Sequence, residues 1–210
     1  MFMQTDLSKS EIYAILTGVF TASIIISNIT AGKTLNLYYI TLPCSIILFP
    51  IIYVINDILT ESYGYQKAKR VILLGFIMNV VALIAYTITI MLPAPSFFVN
   101  SEAYSIVLGS TFRLVIAGFA AYLIGSIVNA RLMVVLKQKA EEKLFLRCLV
   151  STFTGESLDS FIFLTIGFLG TMPLTSLFLM IVTQVFFKTA YEIVIYPVTK
   201  HIIMLINQCE

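Results

Sequence analysis

The chain has 210 residues, of which 59% are hydrophobic and 11% are charged; its net charge is +2 and its mean hydropathy is +0.97. Soluble domains are about 45–50% apolar and about 25% charged, so the composition excludes an ordinary soluble domain. It predicts instead an all-α integral membrane protein. Membrane spans and short loops need nearly all of this length, and we expect a single transmembrane domain over residues 1–210.

Six apolar segments are long enough to cross a bilayer as helices, which takes about 20 residues each. In chain order they cover residues 12–29, 42–59, 71–92, 105–129, 149–169 and 174–203. Pro50 predicts a kink in the second span, and the prolines at 93 and 95 end the third. Pro197 predicts a break in the long sixth span. The first segment is too long for the apolar part of a signal peptide, so we keep it as a span.

The basic residues predict the orientation of the spans, because cytoplasmic loops carry an excess of Lys and Arg. If both termini are cytoplasmic, ten of the 13 basic residues lie on the cytoplasmic side. These ten are Lys9, Lys67, Lys69, Arg70, Arg131, Lys137, Lys139, Lys143, Arg147 and Lys200. Lys33 alone falls in an external loop, and Arg113 and Lys188 lie within spans. We therefore expect cytoplasmic termini.

The fifth span carries two carboxylates, Glu156 and Asp159, three residues apart on one helix face. A charge at this depth costs about 2.5 to 3.5 kcal/mol even on lenient insertion scales. Two neighbouring acids also repel each other unless a cation, a proton or a hydrogen-bond donor lies between them. We expect this pair to belong to a substrate or ion path.

Other polar residues in the spans point to the same interior. Gln184, Lys188 and Glu192 follow at four-residue intervals and form one stripe on the sixth span. Lys188 and Asp159 come out at a similar depth and could meet. Further candidates within or beside the spans are Asn28, Asn79, Arg113, Asp57 and Glu61. A structural ion-pair network is the alternative for Arg113 and for Lys188 with Glu192, and a structural or gating role for Asp57 and Glu61.

Small residues and cysteines have ordinary explanations. Ala14, Gly18 and Ala22 form a small-residue row on the first span, for which internal helix packing is favoured over docking of another subunit. The three cysteines are far apart, make no metal pattern and are expected to be small buried residues.

Enzymatic motifs are incomplete. His201 is the only histidine, so neither a His–Glu zinc site nor a Ser–His–Asp triad can be built. The sequence AGKT at 31–34 lacks the upstream glycine of a phosphate-binding loop. The basic loop 131–147 contains two acidic residues and is explained by orientation, without nucleic acid. We expect no enzyme, cofactor, metal or nucleic-acid partner.

Several stretches carry a family resemblance. Residues 57–70 have the form D-x-x-T-E-x-Y-G-x-x-x-A-x-R, and residues 151–159 have the form S-T-x-x-G-x-x-x-D. With Ser27-Asn28 and the stretches 112–130 and 187–197, they resemble the bacterial queuosine precursor transporter family. The resemblance implies a six-span carrier in the cytoplasmic (inner) membrane, similar in fold to substrate-binding subunits of energy-coupling-factor vitamin transporters. Its substrates would be 7-deazaguanine bases for queuosine in tRNA: 7-cyano-7-deazaguanine, 7-aminomethyl-7-deazaguanine or queuine.

The resemblance gives the polar residues a ligand. Asp159 follows the family form, whereas many relatives have Gln or Asn where this chain has Glu156. One carboxylate can accept both donors of a guanine-like edge, its ring N–H and its amino group. The residues expected to contact the carbonyl oxygen or stack on the ring are Gln184, Asn79, Lys188, Phe187 and Tyr191. We further expect Lys188–Glu192 and Arg113 to exchange partners during alternating access.

Two alternatives remain at this point. The chain could be a vitamin-binding subunit that needs a separate energy-coupling-factor module, with the row Ala14, Gly18, Ala22 as its docking face. It could also be a proton or cation pathway without a base as substrate. The sequence leaves open the energy coupling and whether the chain forms a homo-oligomer.

Overall fold

The computed structural model describes residues 8–37, 40–109, 112–170 and 172–208, without the side chains of 36, 37, 40, 41 and 112–115. Within these ranges it contains seven α-helices joined mainly by short connections. They are α1 Lys9–Thr30, α2 Phe49–Tyr63, α3 Tyr65–Met91, α4 Ser101–Leu108, α5 Phe112–Lys139, α6 Leu144–Phe168 and α7 Leu174–Gln208. A small antiparallel hairpin, β1 Thr34–Leu37 with β2 Ile40–Pro43, and a 3-10 helix, Cys44–Ile47, connect α1 to α2.

Four helical segments among the described residues are long and apolar enough to cross a membrane. They are α1, α3, Ile116–Lys139 of α5, and α7. The long helix α6 does not qualify, because a row of buried polar residues lowers its hydropathy; α2 has only 15 residues. The prediction of a mainly α-helical membrane protein is confirmed, whereas six spans remain a prediction.

The helices bury polar side chains and expose apolar ones. On α7, Phe178, Phe186 and Val194 are 68–77% exposed. On the same helix, Gln184 and Glu192 are at most 3% exposed. A large exposed apolar surface of this kind marks contact with lipid or protein rather than water. The arrangement suits a helix whose outer face meets lipid and whose inner face lines a polar interior.

The second predicted span begins later than expected. Residues 42–47, assigned from their hydropathy to a span, belong to β2 and the 3-10 helix, and α2 starts at Phe49. Pro50 therefore lies in the first turn of α2 instead of kinking the middle of a helix. Proline is accepted there because the first turn has no intrahelical partner for its missing N–H group. The predicted kink at Pro50 is wrong.

Two other predicted boundaries also shift. The fourth predicted span, 105–129, is divided between α4 and the longer α5. Helix α7 continues through Pro197 to Gln208, so the predicted break is not found. Membrane helices tolerate such a proline when neighbouring groups compensate for the lost hydrogen bond. The third predicted span ends as expected, with α3 finishing at Met91, just before the prolines.

The small-residue row of the first span does not pack inside the bundle. Ala14, Gly18 and Ala22 are exposed, and a Cβ added to Gly18 would meet no atom within 4 Å. The internal packing that the sequence favoured for this row is wrong.

Close internal packing occurs instead between α5 and α6. A Cβ added to Gly155 would lie 2.8 Å from the Gly125 carbonyl oxygen and 2.9 Å from the Asn129 Cβ. A Cβ added to Gly125 would lie 3.0 Å from the Cβ of Asp159. The two glycines thus let the α5 backbone approach the polar face of α6.

Several helix ends meet at one end of the bundle, which we call the basic end. Tyr63 Oη donates to the Lys9 carbonyl oxygen at 2.8 Å, and Tyr13 Oη donates to that of Lys67 at 3.2 Å. These contacts hold the start of α1, the end of α2 and the start of α3 together. The basic end carries Lys9, Lys67, Lys137 and Arg147, in agreement with their predicted common side.

We predict that Gly155→Ala destabilises the protein by about 1–3 kcal/mol, because the added methyl overpacks the α5–α6 contact. Gly18→Ala is the matched control, since that position is helical and open. Thermal unfolding in detergent measures both. Equal melting temperatures for Gly155→Ala and the wild type would contradict the packing described here.

Candidate functional site

Three helices place a continuous row of polar side chains inside the bundle, which we call the polar column. Its members follow at intervals of three or four residues and so share one face of each helix. They are Tyr53, Asp57 and Glu61 on α2; Cys148, Thr152, Glu156 and Asp159 on α6; and Gln184, Lys188 and Glu192 on α7. All except Glu61 are buried. The stripe predicted on the sixth span and the acidic pair on the fifth therefore face the same interior.

A buried ion pair lies at the centre of the column. Lys188 Nζ is 2.8 Å from Asp159 Oδ2, and the two side chains are 0% and 3% exposed. The ammonium also lies 4.5 Å from the centre of the Phe49 ring and 5.9 Å from that of Tyr53. Such aromatic faces attract a cation. The expected meeting of Asp159 and Lys188 is confirmed; in this state Lys188 pairs with Asp159 and not with Glu192.

Several acceptors in the column have no hydrogen-bond donor among the described residues. They are Asp159 Oδ1, Gln184 Oε1, and both carboxylate oxygens of Glu156 and of Glu192. A buried polar atom without a partner costs about 1–3 kcal/mol, and more if it is charged. These atoms therefore mark places where a ligand, a proton or a water molecule would stabilise the protein.

Asp57 has a different environment from that of Glu61, although one helical turn separates them. Asp57 accepts hydrogen bonds from Asn129 Nδ2 at 2.7 Å and Thr152 Oγ1 at 3.2 Å. Asn129 is not among the residues predicted from the sequence, because its only signal there is an amide inside an apolar span.

Glu61 is held by two cations at the basic end. It accepts two hydrogen bonds from Arg147, at 2.7 and 3.2 Å, and one from Lys137 at 2.9 Å. Through these contacts Glu61 joins α2 to α5 and α6. The contacts support a structural role for Glu61 and leave Asp57 as the inner acid.

Two cavities adjoin each other, and the smaller one reaches the column at Asp159 and Gln184. The smaller is lined by Asn28, Ala31, Ser45, Phe49, Gly118, Asp159, Phe163 and Gln184. The larger includes Asn79, Tyr86 and Phe119 and shares Asn28, Ala31 and Phe163 with the smaller one. Asn28 Nδ2 donates to Asn79 Oδ1 at 2.8 Å between them. The smaller cavity thus brings together one carboxylate, two amides and two aromatic rings.

The other candidates lie elsewhere. Phe187 is 37% exposed, Tyr191 is partly buried, and neither lines a described cavity. The rings that do line the smaller cavity, Phe49 and Phe163, were not proposed from the sequence, because nothing in their spacing separates them from lipid-facing aromatics. The side chain of Arg113 lies outside the described part of the chain.

A polar interior within mainly apolar helices defines an α-helical membrane transporter, and comparison with known proteins agrees. Residues 43–202 match the family described as "Putative vitamin uptake transporter". The chain belongs to this family. The match covers the whole polar column and fits the prediction of a transporter rather than an enzyme.

Two curated relatives have more specific names. The chain is 23% identical over 150 residues to a "Probable queuosine precursor transporter" of Bacillus subtilis, covering 70% of this chain and 65% of the relative. It is 24% identical over 173 residues to a protein of the same name from Haemophilus influenzae, covering 76% of this chain and 71% of the relative. No solved structure matches the chain significantly.

We predict that Lys188→Met destabilises the protein by about 3–5 kcal/mol, because it leaves Asp159 as an uncompensated buried charge. The double variant Lys188→Met/Asp159→Asn should regain most of this loss. Thermal unfolding of the two single variants and the double variant forms a double-mutant cycle.

Lys137→Met is the control for loss of a cation. This lysine pairs with Glu61, but its side chain is 40% exposed, so its loss should cost at most about 1 kcal/mol. If the double variant loses as much stability as the two single variants together, the assignment of the buried pair is contradicted.

Proposed function

We propose that the protein imports a queuosine precursor, a 7-deazaguanine base, and binds it in the smaller cavity. The observation that carries this proposal is the pair of unpartnered acceptors on two residues that line this cavity, Asp159 Oδ1 and Gln184 Oε1. A guanine-like edge presents two neighbouring donors, the ring N–H and the exocyclic amino group. The names of the two relatives supply the substrate class.

The ion pair prepares Asp159 for this contact. Lys188 occupies Oδ2 and stabilises the ionised carboxylate, while Oδ1 stays free for a charge-assisted hydrogen bond from the base. Gln184 Oε1 accepts the hydrogen bond from the second donor of the base. This arrangement replaces the expectation that one carboxylate accepts both donors, because one oxygen of Asp159 is already engaged.

The walls of the cavity suit a flat ring. Phe49 and Phe163 supply aromatic surface, and Asn28 adds an amide. Ligand pockets typically combine apolar and aromatic walls with a few polar groups, which is the composition of this cavity. The larger cavity, on the side away from the basic end, is the entrance in this proposal.

Glu156 is the residue we assign to the choice among bases. It lies one helical turn from Asp159, is fully buried, and has both oxygens unpartnered among the described residues. A 7-aminomethyl substituent is cationic near neutral pH and would neutralise this acid once the Glu156 side chain, which lines neither described cavity, turns toward the base. We therefore place the aminomethyl base ahead of the cyano base as the preferred substrate.

The proposed setting is a bacterial inner membrane crossed six times, with both termini and the basic end in the cytoplasm. Four candidate spans support it directly. For the other two crossings, α6 has sufficient length, and α2 is extended by the 3-10 helix before it. The basic residues gathered at one end support the orientation.

Uptake of labelled 7-aminomethyl-7-deazaguanine tests the function, in cells that cannot make queuosine and that lack an energy-coupling-factor module. The readout is queuosine in tRNA. Restoration by this chain alone supports the carrier, and failure in the presence of correctly inserted protein contradicts it. Restoration only with an added module would identify a vitamin-type binding subunit.

Gln184→Met tests the site, because methionine keeps the side-chain volume and removes the acceptor. Leaving one donor of the base unpaired costs about 1–3 kcal/mol, so the KM for uptake should rise about tenfold. Phe186→Leu, at an outward position that is 68% exposed, is the control on the same helix and should transport normally. An unchanged KM in Gln184→Met would remove Gln184 from the site.

A further inference from the structure

A second group of buried acids lies one helical turn beyond Lys188, toward the basic end. One oxygen each of Asp57 and Glu192 and the sulfur of Cys148 lie within 4.8 Å of one another. Asp57 and Cys148 are fully buried, and Glu192 is 2% exposed. None of the three lines either described cavity, so the proposed base site does not use them.

Several buried polar atoms of this cluster have no hydrogen-bond partner among the described residues. Both oxygens of Glu192 are without a donor among the described residues. Asn129 donates to Asp57 through its nitrogen, yet its buried Oδ1 is also unpartnered within that part of the chain. A buried carboxylate with no donor is too costly to remain ionised and alone.

The surrounding charges do not supply the missing partner. Asp57 on α2 has an oxygen within 4.8 Å of one of Glu192, and two ionised carboxylates at this distance repel each other. Glu156, one helical turn along α6 from Thr152, is a further acid of the same column. On α7 itself Lys188 is engaged by Asp159. Arg147, next to Cys148 on α6, is engaged by Glu61.

The charges of the whole polar column do not balance either. Among the described residues, its deep acids are Asp57, Glu156, Asp159 and Glu192, and Lys188 is its one deep cation. The acidic cluster therefore needs positive charge from outside the protein.

We propose that Asp57 and Glu192 hold one exchangeable proton between them, and that this proton crosses the membrane together with the base. The proposal rests on the proposed function. Two neighbouring buried acids share one proton readily, because both cannot be ionised at low cost. The hydrogen bonds from Asn129 and Thr152 favour the ionised form of Asp57, so the proton resides on Glu192.

The ligand chemistry favours a proton over a hard metal cation. Hard cations such as Na⁺ and Ca²⁺ need several oxygen ligands, whereas this cluster offers a thiol and few free oxygens. In the proposed cycle, the proton reaches Glu192 from the entrance side while the base binds at Asp159 and Gln184. It leaves toward the basic end after the base has been released, and Glu192 returns to its starting state.

Purified protein in liposomes tests this role with labelled 7-cyano-7-deazaguanine, a base without a cationic substituent. With one proton per base, a pH that is one unit lower outside the liposomes than inside allows about tenfold accumulation of the base inside. The wild type should show this accumulation, whereas Glu192→Gln should exchange base across the membrane without accumulating it. Asp57→Asn is a second variant with the same expectation, and exposed Glu142→Gln should behave as the wild type.

Each outcome has a defined meaning. Base exchange by the wild type without a response to the pH difference overturns the proton role and leaves the proposed function standing. Accumulation that persists in both Glu192→Gln and Asp57→Asn also overturns it, as does accumulation driven by sodium or a tightly bound zinc ion needed for transport. If the wild type exchanges neither this base nor 7-aminomethyl-7-deazaguanine, the proposed function fails, and the proton role fails with it.

Discussion

The ion pair between Lys188 and Asp159 is the interaction on which the interior depends. With both side chains almost completely buried, their attraction is screened little, and each is the other's main compensation. The Phe49 and Tyr53 rings add an electrostatic surface for the ammonium. The pair joins α6 to α7 and engages one Asp159 oxygen, while the other oxygen has no partner among the described residues.

The acids of the polar column belong to three parts of it, to which we give different roles. Asp159 and Gln184 line a small aromatic cavity and form the proposed base site. Asp57 and Glu192 lie closer to the basic end than Asp159 does, and they form the proposed proton site. Glu61 closes the series by joining three helices through Arg147 and Lys137. Transport then requires that the state of the middle acids be linked to opening at either end of the column.

The sequence predicted which polar residues face the interior better than it predicted where the helices begin and end. Residues at four-residue intervals share a helix face, so the stripe from Gln184 to Glu192 could be predicted from spacing. Its meeting with the fifth span followed from the similar depths of Lys188 and Asp159 in the bilayer. Hydropathy could not reveal the hairpin before α2, because an apolar strand and an apolar helix of a few residues look alike. The part played by Phe49 depends on tertiary packing, and the outward-facing row at Gly18 shows that small residues alone do not identify an internal contact.

An experimental structure of the protein with 7-aminomethyl-7-deazaguanine bound tests the central claim most directly. The account predicts the ring between Phe49 and Phe163, with its two donors on Asp159 Oδ1 and Gln184 Oε1 and with the Lys188–Asp159 pair intact. A base bound away from this cavity, or a complex in which Lys188 has left Asp159, would contradict it.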